Sequence, residues 1–108
     1  MSTPKEIFEQ KIPEKLIKNA DKIVGISAIY EFNITGDNGG TWTLDMSGEN
    51  NTVKEGSAGD AQCTITMAAD DFSELINGGL NPQMAFMTGK LKVSGDMGLA
   101  LKLGNILG

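Results

Sequence analysis

Apolar residues along this chain recur every fourth position, then every second, then at helical spacing again, so the fold must contain both helices and a sheet. Phe8, Ile12, Leu16 and Ala20 form one stripe of an amphipathic helix with lysines and glutamates facing water. Thr3 can cap that helix, Pro4 suits its first turn, and Glu6 completes a Thr3-x-x-Glu6 capping box. Pro13 interrupts the stripe and predicts a kink or two short helices. From Ile23 the period becomes two. Val24, Ile26, Ala28, Tyr30 and Phe32 predict a half-buried strand, and the Gly36–Gly40 cluster turns it into a second, alternating around Trp42, Leu44 and Met46. A short third strand is centred on Val53, and a fourth runs through Ala61, Cys63, Ile65 and Met67. Helical signals return at Asp71-x-x-Glu74, stopped by Gly78-Gly79, and again at the Asn81-Pro82 start. Lys90 to Ser94 alternates as a final strand, and Asp96 caps a last helix carrying apolar residues from Met97 to Leu107. This order predicts an α+β domain with helices on one face of a sheet, occupying residues 1–108 as a single unit.

Composition narrows the chemistry. The chain has 108 residues, 9 lysines or arginines against 14 acids, no histidine and one cysteine. Without histidine the usual general base and metal ligand is missing, and no standard Ser-His-Asp triad can form. One cysteine excludes an internal disulfide and cysteine-rich zinc sites. An acidic balance of −5 is the wrong electrostatic footprint for a nucleic-acid partner. No apolar run at the start resembles a secretory signal and none reaches membrane-spanning length, which predicts a soluble, cytoplasmic protein. The charge is uneven: residues 1–22 carry +1, 23–89 carry −8 and 90–108 carry +2. The basic excess flanks the last helix and would allow transient contact with an anionic membrane.

The last helix is the most informative element. Between Met97 and Leu107 only Lys102 and Asn105 clearly want water, whereas a surface helix needs no more than an apolar stripe. Either it packs centrally in the core, or one face packs on the sheet while the other lines a ligand cavity or covers a partner. Met84, Met87 and Met97 fall just before it and at its start, and flexible thioethers suit both core gap-filling and binding surfaces that accept several ligands. Cys63 shares the apolar parity of its strand and reads as a buried, inert thiol. Asp70, Asp71 and Glu74 are accounted for by capping and the helix dipole, while Asp37 and Asp45 fall in a turn and at a solvent-facing strand position. No carboxylate pair flanks a nucleophile, so neither catalysis nor a metal or cofactor is expected.

The run from Cys63 to Leu103 closely resembles the sterol carrier protein type 2 domain family, most specifically at Asn81-Pro82-Gln83, Gly89-Lys90-Leu91-Lys92 and Gly95-Asp96-Met97-Gly98. Gly39 to Met46 is similar to that family's second strand, and the N-terminal helix lies where the family has one. The resemblance implies a five-stranded mixed, mainly antiparallel sheet covered on one face by helices and enclosing a hydrophobic tunnel. It also implies a non-catalytic protein that binds or transfers fatty acids, fatty acyl-coenzyme A, phospholipids or sterols, as a monomer or weak dimer. On matching positions, Gln83 would sit near the ligand head, with Met84, Phe86, Met87, Leu99 and Leu103 along the tunnel. The apolar pattern adds Trp42, Leu44, Phe72, Leu75 and Ile76, together with the stripe Phe8, Ile12 and Leu16. The alternative is an accessory module that uses the same apolar surface to dock a partner protein or a second copy. The end of the chain, Ile106-Leu107-Gly108, departs from the peroxisomal tripeptide of many family members, which favours a cytoplasmic setting.

Overall fold

The computed structural model describes residues 3–23, 25–37, 39–47, 51–57, 59–103 and 106. Its N-terminal helix comes in three pieces: α1 (Pro4–Glu6), a π-helical turn (Ile7–Lys11) and α2 (Ile12–Lys18). Thr3 caps α1 by accepting from the Glu6 amide at 3.3 Å. Pro13 has no N–H to give, and just before it the Ile12 amide donates to the Ile7 carbonyl, five residues back. The expected interruption is therefore a widened turn in the helix, a common response to a missing backbone donor. The turn brings Ile7 as well as Phe8 to the core, and Ile12 and Leu16 follow on the same side. Ala20 does not: α2 ends at Lys18, so the stripe has no further helix to continue on, and Ala20 is exposed.

The five strands described are β1 (Ile29–Thr35), β2 (Gly40–Asp45), β3 (Thr52–Glu55), β4 (Cys63–Ala68) and β5 (Leu91–Gly95). They form one sheet in the order β3-β2-β1-β4-β5, with β1 parallel to β4 and every other pair antiparallel. β1 starts at Ile29 and not at Ile23, because Ile23 closes the end of the helix by donating to the Asn19 carbonyl at 3.1 Å. Val24, placed in that strand by its periodicity, lies outside the described residues. In register, Phe32 lies opposite Trp42 on one side and Ile65 on the other, and Ile65 opposite Val93. One face is thus apolar from β2 to β5, and the other carries Glu31, Asn33, Thr43, Thr64 and Thr66.

β3 and β4 are parallel and separated by β2 and β1, so the chain must cross the sheet between residues 56 and 62. Three strand spacings are roughly 14 Å, and a stretch of that length reaches at most roughly 24 Å. The crossing is made over the polar face. There the Thr43 hydroxyl donates to the Gly56 carbonyl at 2.7 Å, the Ser57 hydroxyl donates to the Glu31 carboxylate, and the Gln62 side chain accepts from the Ile29 amide at 3.0 Å. This explains why Thr43 is buried although its side chain points away from the core.

The helices gather on the apolar face. α3 (Ala69–Ile76) buries Phe72, Leu75 and Ile76. It begins two residues before the expected Asp71 cap, with Ala68 as its N-cap, so Asp70 and Asp71 sit in its first turn and act through the helix dipole. The centre of the core is aromatic. The Phe8 ring stacks on Trp42 at 4.9 Å and on Phe72 at 5.0 Å, and meets Phe32 edge-on at 5.3 Å. One ring thereby joins the N-terminal helix, β1, β2 and α3. Replacing Phe8 with alanine should lower the unfolding free energy by about 3–5 kcal/mol in urea titration. Ile17→Ala, on the exposed side of α2 (79% exposed), should change it by no more than about 0.5 kcal/mol. Equal losses would remove Phe8 as the anchor.

Candidate functional site: an apolar groove at the β5 edge

Two short helices stand over the β5 edge without closing it. α4 (Pro82–Met87) starts at Asn81, whose side-chain oxygen accepts from the Gln83 and Met84 amides at 2.8 and 3.4 Å. Its far end is tied back by the Thr88 hydroxyl, which donates to the Met84 carbonyl at 2.8 Å, and by the Lys90 amide on the Ala85 carbonyl at 2.9 Å. Only the small Ala85 is fully buried, so α4 rests on the sheet at a single methyl group. Met84, Phe86 and Met87 remain 55, 43 and 77% exposed.

α5 (Met97–Leu101) is fixed at its start by the turn before it. Gly95 takes a φ of +99°, and a Cβ there would lie 2.5 Å from the Gln62 carbonyl oxygen. Asp96 then caps the helix, its carboxylate accepting from the Gly98 and Leu99 amides at 2.8 and 3.3 Å. α5 pauses at Lys102, but Leu103 and Ile106 are helical again, the Ile106 amide donating to the Lys102 carbonyl at 3.2 Å, and Gly104, Asn105 and Leu107 of the expected helix lie outside the described residues. Both Leu103 and Ile106 are fully buried, and the Ile106 carbonyl accepts from the side-chain amide of buried Asn19 at 3.3 Å. The segment therefore has two sides: Leu103 and Ile106 pack inward, while Met97 and Leu101, one turn apart, stay exposed.

Between these elements lies a groove of about 440 Å³. α4 and its cap supply Asn81, Pro82, Gln83, Phe86 and Met87; Leu91 and Val93 of β5 form the floor; Met97, Ala100 and Leu101 of α5 form the far wall. That volume is within the usual range of small-molecule sites, and the wall is largely apolar, with one aromatic ring and two thioethers among aliphatic side chains. Where the resemblance implies a tunnel, the described residues thus form an open groove. Of the anticipated positions, Gln83, Phe86 and Met87 line it. Met84 points off it into solvent, Leu99 is half-buried behind it, and Leu103 is in the core. Phe8, Ile12, Leu16, Trp42, Leu44, Phe72, Leu75 and Ile76 are all buried in the main core and do not reach this groove, although Leu75 and Ile76 border a separate one between α2 and the turn after α3. Leu91, Val93, Ala100 and Leu101 were not anticipated as lining residues. The available signals were Leu91 and Val93 alternating between lysines, and Met97 and Leu101 at a four-residue spacing.

Beneath the groove wall, buried Tyr30 of β1 donates its hydroxyl to the Leu99 carbonyl at 2.7 Å, locking α5 to the middle of the sheet. Burial, then the neighbouring Cys63 and Asp96 charges, hold the Tyr30 phenol well above its ordinary range. The Cys63 thiol is buried as expected, and burial followed by the Asp96 carboxylate pushes it to about 11. Asp45, half-buried and not fully solvent-facing, keeps its carboxyl below the ordinary range, chiefly through the Ser47 hydroxyl and then the Ser47 amide. No cluster of metal-ligating side chains occurs among the described residues, and no described helix is long and apolar enough to cross a membrane.

An open five-stranded mixed sheet with helices on one face is the architecture of the sterol carrier protein 2 domains. The chain belongs to the SCP-2 sterol transfer family, whose pattern matches residues 5–108. It is 44% identical over 102 residues to human sterol carrier protein 2, covering 94% of this chain and 18% of that protein. It is 42% identical over 88 residues to human hydroxysteroid dehydrogenase-like protein 2, covering 81% and 21% respectively. The chain thus spans about a fifth of the length of these relatives. Among solved structures, sterol carrier protein 2 from Yarrowia lipolytica in its apo form superposes with a TM-score of 0.75 at 35% identity, over 94% of this chain and 86% of that one. The sterol carrier protein domain 2 of Helicoverpa armigera gives 0.75 at 32% identity, over 98% and 90%.

The folded state holds the Cys63 proton more tightly than the unfolded chain does. This contribution to stability is therefore complete below about pH 9 and is lost as pH rises through about 11. Iodoacetamide at pH 8.5 should label Cys63 slowly in the native protein and rapidly in urea. Equal rates would mean the thiol is accessible in the fold.

Proposed function

We propose that this chain binds one long-chain lipid at a time in the groove between α4, β5 and α5, and transfers or presents it without chemical change. The observation that carries the reading is the exposure of Phe86, Met87, Met97 and Leu101 around a single 440 Å³ groove. Contiguous apolar surface of this kind on a small domain marks a binding site. Family membership supports the same reading. Asn81 and Gln83 provide polar groups at one end only, so the wall sorts ligands by length and bulk more than by hydrogen bonding. Burial contributes about 0.8 kcal/mol per methylene whatever chain carries it, which gives a broad preference among fatty acyl chains, phospholipids and sterols.

Native mass spectrometry of freshly purified protein, with solvent extraction of the adduct, tests this directly. One lipid per chain is the expected result, and failure of delipidated protein to take up any long-chain fatty acid or acyl-coenzyme A at micromolar concentration would sink it. Leu101→Gln, on the exposed groove wall (65% exposed), should weaken fatty-acid uptake about five- to thirtyfold while moving the unfolding midpoint little. A loss of uptake only in proportion to unfolding would place Leu101 outside the site. Sedimentation decides the docking alternative: a tight dimer whose interface consumes α4 and α5 would replace lipid binding by assembly.

A further inference from the structure

A second groove, of about 630 Å³, lies on the other side of the α4 start and shares Asn81 and Pro82 with the first. Its opposite wall is α2, which contributes Lys15 and Lys18, and its floor is the end of α3, with Leu75 and Ile76, and the Asn77–Leu80 turn that follows. The turn is held against the helix by Lys11, whose ammonium donates to the Asn77 side-chain oxygen at 2.9 Å. Lys11, Lys15 and Lys18 follow one another at the spacing of a single helix face. Lys11 is engaged with the turn, which leaves Lys15 and Lys18 to face the groove. No acidic side chain is among the described residues that line it, although the chain as a whole carries −5. Two cations collected in a concave site on an acidic protein form an anion subsite, and Asn81 and Pro82 place it against the apolar groove.

The geometry points to a head-group subsite: Lys15 and Lys18 hold the phosphate groups of an amphiphile whose apolar tail lies in the α4–β5–α5 groove, with its polar linker passing over Asn81 and Pro82. This deepens the lipid-binding reading above and rests on it. The selected ligands carry phosphate separated from the tail by a linker, and phosphate gains from lysine as a compact point charge. A bare fatty acid carries no phosphate for the lysines to hold. The contacts are partly exposed, so salt weakens them.

The test compares the delipidated 108-residue chain with Lys15→Gln/Lys18→Gln, titrated with palmitate, palmitoyl-coenzyme A below its micellar range, and free coenzyme A, at low and high salt. The double variant should lose about five- to twentyfold in palmitoyl-coenzyme A affinity and less than twofold for palmitate, and its affinity should no longer fall with salt. Lys5→Gln/Lys22→Gln, which removes the same charge elsewhere on the exposed surface, should leave both ligands unchanged. Unchanged palmitoyl-coenzyme A binding in the first variant overturns the subsite, as does an equal loss for palmitate or in the control variant. Free coenzyme A competing as strongly as its acyl ester would mean a phosphate site unconnected to the groove, which also overturns it. Wild-type protein that takes up neither palmitate nor its ester removes the lipid-binding reading itself.

Discussion

The Phe8 ring is the contact on which the rest of the arrangement depends. Aromatic pairs at these separations contribute about 0.5–1.5 kcal/mol beyond the area they bury, and Phe8 makes three of them, to β1, β2 and α3. They hold the N-terminal helix over the β1–β2 half of the sheet. The π-helical turn that contains Phe8 is what allows the ring to reach that position with Ile12 and Leu16 still directed inward.

Because the bulky rings fill one half of the apolar face, the other half is left to short elements. α4 and α5 have six and five residues, too few to cover β4 and β5 completely. α4 meets the sheet through Ala85, whose small side chain lets the helix sit close while its larger residues project sideways. The groove is therefore a consequence of how the core is divided. The N-terminal helix gives it a second border, since α2 reaches the turn between α3 and α4 and brings its lysines to the same place.

Asp96 connects the electrostatics to the packing. Its carboxylate caps α5, and the same charge raises the Tyr30 and Cys63 ionisations beneath. With the phenol protonated, Tyr30 can donate to the Leu99 carbonyl, so the cap and the buried hydroxyl fix α5 from two directions. One wall of the groove is thus rigid, whereas α4 has a single buried anchor.

The sequence by itself determined the elements and their order. Caps at Thr3, Asn81 and Asp96 are local hydrogen bonds, and strand alternation is a local periodicity, so both are written in neighbouring residues. Methionine clustering pointed to Met84, Met87 and Met97, of which the last two line the groove, whereas Gln83 and Phe86 came from the family resemblance and not from a local pattern. Only the tertiary structure decided which apolar residues are core and which are wall. Phe72 and Phe86 look alike in sequence, yet one is buried in the aromatic stack and the other lines the groove. The end of the stripe at Leu16, the crossing of residues 56–62 over the polar face, and the approach of Lys15 and Lys18 to Asn81 depend on contacts between residues far apart in the chain. No local pattern carries such contacts: they are set by the space that remains once the largest side chains have packed.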